Sequence, residues 1–146
     1  MKYDDAEFFF LNFETDTLPN SAGATHIGMF MAWMILHEMV SDAHRQDDAD
    51  TIAQIKSRQI TGAQFVIELM DGKLFDDDLS ALGNAFAAAY YDTDYLRDYM
   101  QAMGVSDDTA DDFCRVDDTW ANFAKIARVL DLRFDAFKKT RAAIRR

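Results

Sequence analysis

One cysteine, one proline and six glycines are all that this 146-residue chain holds of those three residue types, and each scarcity excludes something. A lone Cys114 forms no internal disulfide and builds no zinc site, which points to a reducing compartment and a small core residue. With Pro19 the single proline and few glycines, little interrupts helices, and neither a low-complexity linker nor an internal repeat is found. The longest apolar run, Ile27 to Leu36, has ten residues, whereas a bilayer-spanning helix needs about 20. That run therefore reads as a buried core helix, and no membrane partner is expected. The opening residues Lys2, Tyr3, Asp4, Asp5 and Glu7 lack the basic start and apolar core of a secretory signal, so the expected location is cytoplasmic. No HExxH, CxxC, GxSxG, GxxxxGK or GxGxxG pattern occurs, which leaves no catalytic or cofactor-binding residue to assign.

What the chain does have in excess is negative charge. Twenty-six acidic residues face 15 basic ones, for a net charge of −11, and 22 of the acids are Asp, which prefers caps and turns to helix interiors. From Lys125 onward eight basic residues stand against Asp131 and Asp135, leaving seven basic against 24 acidic before that point. An acidic body with a basic tail repels nucleic acid and draws in basic protein surfaces.

Hydrophobic patterning favours helix nearly throughout. The expected fold is all-α, a single multi-helix bundle over 1–146 around a buried central helix. Residues 1–20 form a short strand or extended strap, because the aromatic "EFFFLNF" suits a pleated surface. The central helix, apolar on all sides, starts near Ser21 or Thr25 and runs to about His44. Acidic or hydroxyl residues recur where later helices should begin: Asp47 and Asp48, Thr61, Asp76 to Asp78, and Thr93 or Asp94. Gly72 and Gly104 stand where helices should stop. "SDDTADDFCRVDD" reads as a turn or short helix. A long amphipathic helix over 118–146 then carries Trp120, Phe123, Ala127, Leu130, Phe134, Phe137 and Ile144 at heptad spacing, suited to docking on the bundle.

His26, His37 and His44 share one face of the expected central helix. At 1.5 Å per residue they lie roughly 16 Å and 10 Å apart, too far for one metal with ligands near 2 Å. The Asp runs fail as calcium loops, since Ala81 and Asp112 occupy the sixth position where glycine is needed. No metal is expected. His26 could instead pair with Asp4 or Asp5 at the mouth of a pocket, the arrangement a small enzyme or ligand-binding protein would use. Tyr90, Tyr91, Tyr95 and Tyr99 are concentrated in one stretch with Asp94 and Asp98; Tyr with Asp makes a good protein-binding surface, and a reading of equal weight places half of these rings in the core.

The stretches "YDDAEFFF", "LPNSAGATHIGMFMAWMI", "GNAFAAAYYDTDYLRDY" and "VDDTWANFAKIARVLDLRFDAFK" together resemble an uncharacterised bacterial family of small acidic proteins, a domain of unknown function. The resemblance carries no established activity. It implies an association with polymorphic-toxin and secretion-system genes, beside which small acidic partners act as immunity proteins. Where the family tends to place a histidine in the first segment, this chain has Phe8, Phe9 and Phe10. The leading expectation is thus an immunity protein that occludes a cognate toxin with a basic surface, through a face holding Asp76, Asp77, Asp78, Tyr91, Tyr95 and Asp98. The alternatives are the His26 pocket and a homodimer joined through the heptad stripe or the tyrosine patch.

Overall fold

The computed structural model describes residues 1–13, 15 and 17–145, with the backbone only of Arg145. Among these, eight α-helices carry the fold. The chain opens with β1 (Lys2–Asp5) and α1 (Ala6–Asn12). A 3₁₀ turn at Asn20–Ala24 leads into α2 (Thr25–Leu36), followed by α3 (Asp42–Asp47), α4 (Ala49–Lys56) and α5 (Gly62–Leu69). Then come β2 (Lys73–Phe75), α6 (Ala81–Tyr90), a π turn at Tyr91–Tyr95 and α7 (Leu96–Ala102). A 3₁₀ segment at Asp107–Arg115 precedes α8 (Trp120–Arg145). The two strands pair antiparallel, Lys2 opposite Phe75 and Asp5 opposite Lys73, with an irregularity between Lys2 and Asp4. The fold is therefore all-helical with one short two-stranded sheet.

Helix α2 is the axis of the molecule: every residue from Thr25 to Ile35 is buried. Such a helix has no polar face, so it is stable only when wrapped on all sides. One side is closed by α5, and the approach there is unusually near. A side chain at Gly28 would collide with the backbone of Gly62 and Ala63, and one at Gly62 would collide with the Gly28 carbonyl. Two glycines thus let the helices meet backbone to backbone. Thr61 fixes where α5 begins, through a capping box in which its hydroxyl accepts from the Gln64 amide while Gln64 accepts from the Thr61 amide.

The remaining sides are aromatic. Phe30 packs edge-on against Tyr91 and Tyr95, and Trp33 against Phe86 and Phe134. Helix α8 lies over this ridge with Phe123, Ile126, Leu130 and Phe134 buried and Trp120, Ala127 and Phe137 partly so. The Trp33 indole N–H donates to Asp131 Oδ1 of α8 at 3.0 Å, which satisfies its one polar atom. The docked stripe ends at Phe137. Ile144 is 81% exposed, because the last turns of α8 run past the body. Arg146 lies outside the described residues.

Several expectations need correction, among them a helix start at Thr93 or Asp94, where α6 instead runs on through the π turn into α7 without a side-chain cap. "EFFFLN" is helix rather than extended strap: Asp5 accepts from the Glu7 amide as an N-cap, and only the four residues before Ala6 pair as strand. The central helix stops at Leu36 rather than near His44. Glu38 adopts φ 60°, Val40 bridges to Leu79, and Ser41 starts α3 as a new N-cap. Helix α6 is capped by Ser80, whose hydroxyl accepts from the Gly83 amide, and not by the Asp76 to Asp78 run. Thr61 as a cap and the positive φ of Gly72 and Gly104 agree with expectation.

The close crossing yields a direct test. Gly28→Ala or Gly62→Ala forces backbone against backbone, where no side-chain rotation gives relief, and each should cost roughly 3 kcal/mol or prevent folding. Ala85→Gly on α6 should cost about 1 kcal/mol. Urea midpoints followed by circular dichroism separate the two cases.

Candidate functional site

The tyrosines expected on an outer face are in the core, and the reason lies in the π turn. In a regular α-helix Phe86 and Tyr90 point inward, and Tyr91 would then be turned about 100° away. One extra residue in the turn at Tyr91–Tyr95 resets the phase, so that Tyr91, Tyr95 and Tyr99 continue the buried stripe. Their rings follow one another at 4.9 and 6.1 Å. Asp98 is only 6% exposed and accepts from Tyr90 Oη at 2.7 Å and from Arg133 Nε and Nη2 at 2.8 and 3.1 Å. Burial pushes its carboxyl up, but the bonds from Arg133 and Tyr90 outweigh this and hold it below the usual range. Tyr91, Tyr95 and Asp98 therefore do not form an accessible face.

The Asp76 to Asp78 run divides by role. Asp76 accepts from the Met1 amino group at 2.8 Å. Asp77 points to solvent. Asp78 is largely buried and accepts from the Phe75 amide at 2.8 Å and from His44 Nε2 at 2.8 Å, while His44 Nδ1 donates to Asp48 at 2.7 Å. The Asp78 bond, and after it the Asp48 bond, raises the His44 pKa against the opposing pull of burial. This ion cluster ties α3 to the segment before α6.

His26 and Asp4 do come together. His26 Nε2 donates to Asp4 Oδ2 at 2.9 Å, Tyr91 Oη donates to the same oxygen at 2.5 Å, and Tyr95 Oη donates to the His26 carbonyl at 2.6 Å. Burial raises the Asp4 pKa, yet the bonds from His26 and Tyr91 override it and the carboxyl sits below the usual range. Asp5 is not part of this group, since it faces Lys2 Nζ at 2.9 Å and caps α1. His26 is 1% exposed and lies between Phe9 and Phe113 at centroid distances of 4.2 and 4.9 Å. None of the larger surface clefts is lined by its ring. The expected pair exists, but its imidazole is closed off: Asp4 and Asp5 line a cleft of about 440 Å³ that the His26 ring does not reach, and the cluster fastens β1 to α2 and to the π turn. The tyrosine patch and the heptad stripe as far as Phe137 are likewise internal, so neither offers a self-complementary surface.

Two of the surface clefts bear on function. The first is a groove of about 830 Å³ between α7 and the following loop, lined by Leu96, Met100 and Val105 and by the charged Asp92, Arg97 and Asp107, with Arg97 paired to Asp94. Beside it Asp107, Asp108, Asp111 and Asp112 are exposed, and among the described residues their carboxylates make no ion pair. The second is a cleft of about 590 Å³ between Leu18–Ala22, α5 and Cys114–Asp118. It is mostly apolar, with Asp118 in its wall, where Thr61 Oγ1 donates to Asp118 Oδ2 at 2.5 Å. Sequence reasoning passed over both. The acids of 107–112 were read as turn-formers, and a cleft shared by three segments distant in sequence leaves no local pattern. Among the described residues no group of three or more His, Cys, Asp or Glu side chains is placed to hold a metal ion, and no helix is long and apolar enough to cross a membrane.

A family model described as a domain of unknown function (DUF7832) matches residues 2–113. That span takes in three of the four stretches that carried the resemblance, and "VDDTWANFAKIARVLDLRFDAFK" falls beyond it. No curated protein and no solved structure matches the chain.

The Asp4 and His44 ion pairs can be read by their pH dependence. Asp4 has a native pKa below its unfolded value of 3.8, so its stabilisation is present above that value and is lost as pH falls through the native one. His44 has a raised native pKa, so its stabilisation is full below 6.5 and is lost as pH rises through the native value. Asp4→Asn should cost roughly 2–3 kcal/mol at neutral pH, with a gap to wild type that narrows in acid. His44→Gln should instead differ most near pH 6 and least in alkali. Urea midpoints between pH 3 and 9 measure both.

Proposed function

The chain belongs to the DUF7832 family, a domain of unknown function, and we propose that it is a binding protein that engages a basic surface of another macromolecule and makes or breaks no bond. In its most specific form this reading makes it an immunity protein that covers the active site of a cognate toxin. The observation that carries it is the exposed run Asp107, Asp108, Asp111 and Asp112, without ion-pair partners among the described residues, beside an apolar groove. Most other features of interest are occupied internally: Asp4, Asp78 and Asp98 each hold two elements together. Four like charges on one short segment repel one another, and a basic partner relieves that repulsion. The groove floor of Leu96, Met100 and Val105 would take an apolar anchor at the centre of such a contact, with the carboxylates as its rim.

This relocates the expected face. Asp76 to Asp78, Tyr91, Tyr95 and Asp98 give way as contact points to the groove of Leu96, Met100 and Val105 and to Asp107, Asp108, Asp111 and Asp112. The charge asymmetry supports the same reading, since an excess of acids before Lys125 steers basic partners over distances of about a Debye length, 8 Å at physiological salt.

Co-expression with the product of the adjacent gene should yield a complex and protect the host from that product. The quadruple variant D107N/D108N/D111N/D112N should associate at least about tenfold more slowly at low salt, with the difference vanishing near 0.5 M salt. Absence of both complex and protection would reject the toxin reading. A variant that associates at the wild-type rate would reject the acidic run as its surface.

A further inference from the structure

The cleft between Leu18–Ala22, α5 and Cys114–Asp118 shares no lining residue with the groove beside α7. Its walls are mostly apolar, with Leu18, Pro19, Ile67 and Val116 among the lining residues. Its volume of about 590 Å³ falls in the range of small-ligand sites, about 300–1,000 Å³. Charge within it is one-sided: Glu68, Asp117 and Asp118 line it against Arg115 as the single basic side chain among the described lining residues. Asp118 is the most enclosed of the three, and its Oδ1 has no partner among the described residues while Oδ2 receives the Thr61 hydroxyl. Its one protein donor is neutral, and the rest of this half-buried carboxylate is left to the water of the cleft.

We propose that this cleft binds a small primary amine with an apolar body, the body against Leu18, Ile67 and Val116 and the ammonium on Asp118. An anion is disfavoured by the three carboxylates, and a neutral molecule leaves Asp118 as poorly matched as before. An ammonium supplies what the carboxylate lacks, a charge-assisted hydrogen bond in a partly dry setting. A free amine and the lysine of a partner protein, the two sources of an ammonium, are separated by the probes below. In the unliganded protein burial raises the Asp118 pKa and the Thr61 hydroxyl offsets this only in part. The groups facing it are Thr61 at the start of α5, Glu68 further along α5, Cys114 and Asp117 on its own segment, and the buried Tyr99 hydroxyl, whose pKa is itself raised by burial and then by Asp118. An arriving ammonium favours the ionised carboxyl, so binding releases a proton wherever Asp118 is partly protonated.

The probes are 2-phenylethylamine, its neutral counterpart 2-phenylethanol, and Nα-acetyllysine amide, titrated calorimetrically into the full chain. The amine should bind at least about tenfold more tightly than the alcohol. Amide shifts in nuclear magnetic resonance should centre on Ala63, Ile67 and Val116. In Asp118→Asn the preference should fall to near unity while alcohol binding persists, and Glu68→Gln should change it by less than about threefold. On the wild-type protein alone, enthalpies measured near pH 5 in buffers of different ionisation enthalpy should report proton release, a reading that needs no variant to fold. Equal binding of amine and alcohol overturns the proposal. So does a preference that survives Asp118→Asn, or shifts spread over the acidic surface. Binding by the lysine amide alone transfers the site to a protein ligand.

Discussion

The approach of α2 to α5 at Gly28 and Gly62 is the constraint on which the rest of the molecule depends. A twelve-residue helix without a polar face must be enclosed, and the glycine contact sets how near its first neighbour lies. Everything else is arranged about that pair. The aromatic ridge of α6, the π turn and α7 closes a second side, and α8 closes another through Trp33, Phe86 and Phe134. The cleft beside Asp118 follows from the same geometry. Thr61 caps α5 at the point of closest approach, which brings its hydroxyl to Asp118 and leaves Ala63 and Ile67 facing the space beyond.

The acidic composition has two physical parts. Some carboxylates act within the fold: Asp4 joins a strand to the central helix, Asp48 and Asp78 hold His44, and Asp98 anchors Arg133 of α8. These are worth having only because each meets donors where water is scarce. Others, above all those from Asp107 to Asp112, contribute field and solubility rather than cohesion. Net charge alone cannot tell the two apart, because the distinction is whether a donor is brought alongside by a distant part of the chain.

Much of the fold was legible in the sequence because its signals are local. The ten-residue apolar run, the Thr61 capping box, the glycines at 72 and 104 and the heptad stripe of α8 all depend on neighbours within a few positions. What was not legible involved a register or an encounter. The stretch "AYYDTDY" gives no sign that one additional residue in the turn will send Tyr90 and Tyr91 both inward, so the tyrosines read as surface when they are core. The central helix looked continuous to His44 because no glycine or proline marks Glu38, which takes a positive φ unaided. At the candidate site the pairing of His26 with Asp4 was foreseeable from an acid-rich opening segment, but its closure behind Phe9 and Phe113 was not, since both rings arrive from elsewhere.

The family model ends at residue 113, while Phe134 of α8 covers the indole of Trp33 and, with Phe137, the ring of Phe86. Residues 2–113 taken alone would thus leave an oily window, for which α8 is the shutter.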